Sequence, residues 1–256
     1  IGIARAQSRV DVAVLEGAIR DDLNTRAPRR MAVLRPLRVV ITNWPEGTSR
    51  ELVAPSFPPD VGLPGERLVP LTREVFIERE DFETDPPPGF HRLVPGGEVR
   101  LRYGCVIRCD EVVRGPEGEV AELRCTADLD TFGQAPRGRA VKGTIHWVPA
   151  EGGVRATFKL YDRLMRCADP EAQGDFLEML NPDSLIVTEG WVEPAVPGLG
   201  ERVQFERQGY FWRAPEDAAE GLVFGRIIGL KDSWERAEVA PAAAVAGGRT
   251  RERSPK

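Results

Sequence analysis

Apolar positions along this chain follow two periods, and the change between them marks its organisation. Val12, Leu15, Ile19 and Leu23 recur at helical spacing, with Ser8 and Asp11 as a capping box before them and Asn24 and Pro28 as stops after them. This predicts a helix over 8–23. Its stripe has little of its own to pack on and is expected to dock against protein upstream of Ile1. After a basic turn at Arg26, Arg29 and Arg30 the period falls to two. Residues 33–43 read as a strand, with Pro36 marking an edge or a bulge because proline cannot donate to a ladder.

The clearest alternation lies in 90–113. A Pro95-Gly96-Gly97 turn separates two strand-like arms; after it Val99, Leu101 and Tyr103 share one face, and Glu98, Arg100 and Arg102 the other. Same-face residues on a strand lie about 6.6 Å apart. Arg100 and Arg102, with Arg92 before the turn, can therefore each engage a different nucleotide of a splayed strand, or simply form a solvated sheet face. Gly115-Pro116-Glu117-Gly118 predicts a second hairpin joining 107–114 to 119–127, and Glu151-Gly152-Gly153 a third joining 144–148 to 155–161. Val75, Phe76 and Ile77 mark a further strand, as do 185–193, 202–212 and 222–230, and a short helix is expected over 169–180. Many short strands separated by turns predict a mainly β architecture of barrel or sandwich type, and a chain of this length needs two such barrels. Residues 237–256, Ala-, Pro- and Gly-rich and then basic, are expected to be a disordered tail or linker.

Composition narrows the function. Hydrophobic residues make up 41%, enough for a core, and no apolar run reaches the roughly 18 residues of a spanning helix, so no membrane partner is expected. The opening IGIARAQSRV has no Met, basic n-region or cleavable apolar core, which suggests a piece of a longer cytoplasmic protein. A net charge of −5 leaves room only for a local basic groove. Four of the 35 basic residues are lysines and the rest arginines. The planar guanidinium suits phosphates and base edges, although a GC-rich genome gives the same bias. Cys105, Cys109, Cys125 and Cys167 follow no CxxC spacing and His91 and His146 stand alone, so reduced, packed thiols are expected and no metal site. There is no GxGxxG after a strand, no GxxxxGK[ST] and no GxSxG, so a binding module without catalytic residues is expected.

Six ordered segments carry a more specific signal: 19–41 with LNTRAPRRM, 90–112 with FHRLVPGGEVRLRYG, VKGTIHWV at 141–148, LYDRLM at 160–165, NPDSLIV at 181–187 and VQFERQGYF at 203–211. Together they resemble the C-terminal half of bacterial and eukaryotic glutaminyl-tRNA synthetases, over about residues 1–236. The resemblance implies a helical segment at 1–30 from the catalytic and stem-contacting half, then two consecutive ribosomal-protein-like anticodon-binding β-barrels over 31–236, the last strands returning to the first barrel. It implies that Arg29 reads the central anticodon uracil, with Gln204 and Arg207 approaching the same base. It places Arg92 at the third anticodon base, Arg100 at the first with Arg102 beside it, and Asn24 near the anticodon stem. Read alone, Arg29 is equally a helix C-terminal charge, Gln204 a strand-face polar group and Arg207 a salt-bridge partner of Glu206 or another carboxylate. Two positions depart from the family: His91 stands where a lysine is expected, and Pro58 where an asparagine is expected to touch a base.

The implied partners are the tRNA(Gln) anticodon loop and the enzyme's own N-terminal catalytic domain, in a monomer. ATP and Mg belong to the parent enzyme and no cofactor to this chain, which is expected to form no glutaminyl-adenylate. A glutamyl-tRNA synthetase of archaeal or eukaryotic type and a non-catalytic barrel binding ribosomal RNA remain the alternatives.

Overall fold

The computed structural model describes residues 12–166, 176–213 and 221–230. Ser8, Asp11 and the tail at 237–256 lie outside the described residues, as does most of the helix expected at 169–180, of which α2 (Phe176–Met179) is helical. The first helix, α1 (Val12–Arg26), continues past Asn24 and stops only where Pro28 disfavours helical geometry in the residue before it. Its stripe packs at one end. Leu23 and Ala27 are buried with Tyr210 and Ile228, Ile19 is half-buried beside them, and Val12 and Leu15 are exposed.

β1 (Arg29–Arg30) and β2 (Ala32–Val33) follow, and at Leu34 and Arg35 the chain leaves for another sheet. The backbone N–H groups of those two residues, out of reach of either ladder, donate to the Glu78 carboxylate at 2.7 and 3.0 Å. The run expected at 33–43 is thus split between two sheets. β3 (Pro36–Ile41) begins on Pro36, where a missing N–H is tolerated; the proline opens an inner strand and marks neither an edge nor a bulge.

β4 (Ser49–Pro55) and β5 (Glu66–Thr72) form a two-stranded ribbon. The first large sheet adds to β3 the strands β6 (Glu74–Glu78), β7 (Glu98–Leu101), β8 (Val106–Arg114), β9 (Val120–Asp128), β10 (Thr144–Ile145) and β11 (Trp147–Pro149). Its spatial order is β10-β7-β8-β9-β3-β6-β11. The second gathers β12 (Val154–Tyr161), β13 (Leu185–Val192), β14 (Arg202–Phe205), β15 (Gly209–Arg213) and β16 (Val223–Ile228), in the order β1-β14-β15-β16-β12-β13-β2. Both are nearly closed, barrel-like sheets in a mainly β chain, as expected. Along the sequence the first is nested inside the second, because the last strands lie in the sheet that β1 and β2 opened.

Each sheet buries its own core. The first packs Leu37, Val39, Ile41, Ile77, Leu101, Ile107 and Trp147. The second centres on Phe158, Phe205, Phe211 and Phe224, with ring centroids 5.1 to 5.9 Å apart; offset and edge contacts of this kind suit the ring quadrupoles.

Three further expected features differ. The arm before Pro95 is not a strand: Leu93 makes a single bridge to Phe82, and Gly96 and Gly97 instead pair with Cys109. β7 ends at Leu101, so Arg102 falls in a turn and does not share a strand face with Arg100. Glu151-Gly152-Gly153 joins no hairpin, since β11 pairs with β6 and β12 with β13 and β16. There the chain crosses between sheets so tightly that a Cβ on Gly153 would meet the Pro149 carbonyl oxygen at 2.3 Å. The second hairpin, β8 with β9, forms as expected.

Cys105, Cys109 and Cys125 are buried in the first core without disulfides. Burial pushes the Cys105 thiol up to about 11. A thiol near 8.5 in the unfolded chain therefore contributes stability below that pH and loses it as the pH rises toward the folded value. We expect no reaction of Cys105 with a maleimide at pH 8 in the folded protein and full reaction in denaturant; rapid native labelling, read by mass spectrometry, contradicts this burial.

Candidate nucleic-acid interface

The two sheets meet along a seam, and a cleft opens on it. β1 runs parallel to β14, setting Arg29 opposite Gln204 and Arg30 opposite Phe205. The β14–β15 turn brings Arg207, the turn after β7 brings Arg102 and Tyr103, and the β4–β5 loop brings Phe57, Pro58 and Asp60. With Asn24 from α1 these residues line a cavity of about 420 Å³. Among the described residues, the two non-glycine residues at positive φ, Tyr103 at 63° and Arg207 at 67°, both stand here. That conformation costs of order 1 kcal/mol per residue and concentrates where function constrains the backbone.

Arg29 is held from below. Its Nη1 donates to the Ala27 carbonyl at 3.1 Å, and its Nη2 to the Asn24 carbonyl at 3.1 Å and to Asn24 Oδ1 at 2.6 Å. Tyr210 also donates to Asn24 Oδ1, at 3.3 Å. Three of the five guanidinium N–H groups are thereby engaged among the described residues, and two remain for a ligand. Burial lowers the Arg29 pKa, against the pull of Tyr210 and Glu206. Opposite it, Gln204 is buried, and its Oε1 has no hydrogen-bond partner among the described residues.

Carboxylates occupy the other arginines. Glu206 pairs with Arg102, accepts from the Tyr103 hydroxyl at 2.7 Å and lies 3.3 Å from Arg67 Nη2. Burial and then Glu206 raise the Tyr103 pKa; burial, the largest single cause, would lower Arg102, but Glu206 and Tyr103 together outweigh it and the net direction is up. Arg67 Nε donates to Glu193 at 2.5 Å, and Arg30 Nε lies 3.2 Å from the same carboxylate. Fully buried Asp81 receives both ends of Arg207 at 2.6 Å, while Arg92 Nε approaches it at 3.2 Å. Arg207 Nη1 also lies 3.1 Å from His146 Nδ1. Because a guanidinium can only donate, that nitrogen accepts and the imidazole proton sits on Nε2.

Of the residues singled out in the sequence, Asn24, Arg29, Arg102, Gln204 and Arg207 line the cleft, and Arg92 adjoins it through Asp81. Arg100 does not join them. Its guanidinium donates to the carbonyls of Gly104, Thr131 and Gln134 at 3.1, 2.9 and 2.6 Å, in a neighbouring cavity of about 620 Å³ that shares Tyr103 as a wall. Pro58 does line the cleft, beside Phe57, and His91 is exposed. Sequence reasoning missed Phe57, Tyr103, Glu206 and Asp81 as parts of the site. The alternation places Tyr103 on the face of Val99 and Leu101; only its backbone conformation, invisible in the pattern, turns it toward Glu206.

Two family profiles, each described as the anticodon-binding domain of class I tRNA synthetases (E and Q), match residues 27–128 and 144–214. The chain belongs to this family. Glutamine--tRNA ligase of Pseudomonas aeruginosa (strain LESB58) is 50% identical over 244 residues, and that of Ectopseudomonas mendocina (strain ymp) 50% over 242. Each alignment covers 91% of this chain, which spans about 43% of the length of these curated relatives. In this anticodon-binding chain the cleft draws Arg29 and Arg102 from the first matched span and Gln204 and Arg207 from the second, so the site exists only where the two spans meet.

Proposed function

We propose that the seam cleft binds the anticodon loop of tRNA(Gln), and that the whole protein, a cytoplasmic monomer, uses ATP and Mg to ligate glutamine to that tRNA. One observation carries the reading: across the β1–β14 pair, Arg29 offers open donors, and Gln204, which lines the cleft, carries a buried Oε1 that has no partner among the described residues and that a rotation of its amide would present to a base. The Watson–Crick edge of uracil presents an N–H donor flanked by carbonyl acceptors, so it fits both groups at once. Cytosine places an acceptor where uracil has its N–H, which would set two lone pairs against each other. Phe57, Pro58 and the Tyr103 ring supply apolar walls for a base. The cavity holding Arg100 lies on the far side of Tyr103 and suits the first anticodon base, and Arg92 suits the third.

The test is binding of the 256-residue chain to the tRNA(Gln) anticodon stem-loop and to the same loop with its central uracil changed to cytosine. The cognate loop should bind about 10- to 100-fold more tightly; equal affinities overturn the reading. Since Glu206 pairs with Arg102 and the single Asp81 carboxylate with both Arg207 and Arg92, part of this positive charge is already compensated and fewer counterions await release. The slope of log K against log salt should therefore be below about 2, where four phosphate contacts would give roughly 3. A steeper slope would show that phosphate attraction, and not base reading, dominates.

A further inference from the structure

We infer that Asp81 is a positioning residue that makes Arg92 and Arg207 act as one unit, so that recognition of two bases is coupled through a single buried carboxylate. The inference rests on the anticodon reading above and adds to it a residue that touches no RNA. Asp81 lies in the short turn Arg79–Asp81 that follows β6 in the first sheet, and its side chain is fully buried. Arg207 reaches it from the second sheet with two parallel bonds of 2.6 Å, while Arg92 reaches it from the 90–94 segment of the first, Nε at 3.2 Å from Oδ1. Oδ1 is therefore shared by both guanidiniums.

The backbone around Asp81 is fixed as well. Its carbonyl accepts from Leu93 N at 3.0 Å, and the Glu80 carbonyl accepts from Arg92 Nη1 at 2.9 Å, so the segment carrying Arg92 is tied to the same turn. On the other side, the left-handed backbone of Arg207 is strained, and a bidentate bond to a buried carboxylate is what holds that tip in place. A buried carboxylate held by two arginines cannot release one without shifting the balance of the other. Loss or movement of Arg207 leaves Asp81 to Arg92 alone, which draws Arg92 inward and away from its base; loss of Arg92 likewise tightens Arg207.

Affinities of the full chain for the tRNA(Gln) stem-loop test this through Arg92→Ala, Arg207→Ala and the double variant. If Asp81 couples the two, the second substitution should cost about tenfold less in the presence of the first than it does alone, within the range for residues of one ion-pair network. Losses that simply multiply overturn the inference, and this arm leaves Asp81 untouched. In the Asp81→Asn background the two substitutions should become independent within about twofold. Coupling that persists there would assign it to another path and also overturns the inference. Asp81→Asn by itself should lower binding of the cognate loop about tenfold while leaving loops changed at the central or third base nearly as they were; an equal loss on every loop means a structural role only and refutes positioning. Should Asp81→Asn not fold, Asp81→Glu, which keeps the charge but displaces both arginines, serves for the loop comparison with the same two outcomes. Absence of any discrimination between loops by the wild-type chain counts against the anticodon reading itself and is told apart at once from failure of the coupling.

Discussion

Glu193→Ala should lower the unfolding free energy by about 3 to 5 kcal/mol, the cost of leaving a buried ion network with an uncompensated charge. Glu193 is fully buried where the sheets meet, just after β13. Burial raises its pKa, and Arg67 and Arg30 oppose that rise by pairing with the ionised form. Its second oxygen accepts from Met31 N at 3.1 Å. Removing the carboxylate strands a backbone N–H and leaves the nearly inaccessible Arg67 guanidinium with only Glu206 and a carbonyl of Pro55. At roughly 2 to 4 °C per kcal/mol for a domain of this size, the melting temperature should fall by about 6 to 20 °C. The control is Arg38→Ala on the exposed pairs with Glu74 and Glu122, expected to cost less than about 1 kcal/mol. If urea unfolding shows similar losses for both, the seam network does not hold the sheets together.

Arg29→Lys should impair recognition almost as much as Arg29→Ala, each by about 1 to 3 kcal/mol on the cognate stem-loop. Asn24 and Ala27 fix the rear of a planar fork, and a lysine ammonium can neither satisfy all three acceptors nor present two divergent donors to a base. On the loop with a changed central base the same variants should lose little. A phosphate contact behaves differently: lysine largely rescues it, the loss is equal for all loops, and it shrinks at high salt. Wild-type-like binding of Arg29→Lys to both loops would remove Arg29 from base reading.

Much of the site was legible in the residues. Asn24, Arg29, Arg102, Gln204 and Arg207 stand in segments that carry the resemblance in the sequence, and the cleft gathers them although 180 positions separate Asn24 from Gln204. Residue types alone could not separate Arg100 from Arg102, because period-two alternation puts both on one face. The outcome turned on where β7 stops, and that depended on Tyr103 adopting φ 63° to send its hydroxyl to Glu206.

The sequence by itself determined the mainly β character, the β8–β9 hairpin and the first helix, since each rests on local periodicity and turn chemistry that the chain carries wherever it goes. The tertiary structure alone decided the nesting of one sheet inside the other, the crossing at Gly153 and the partners of the seam arginines. A strand's pattern states which face is buried but not which strand it joins, and an arginine's charge attracts any nearby carboxylate. Asp81 and Arg207, 126 positions apart, are partners only because two separately cored sheets close against each other, burying the Asp81 carboxylate away from the water that would otherwise solvate it.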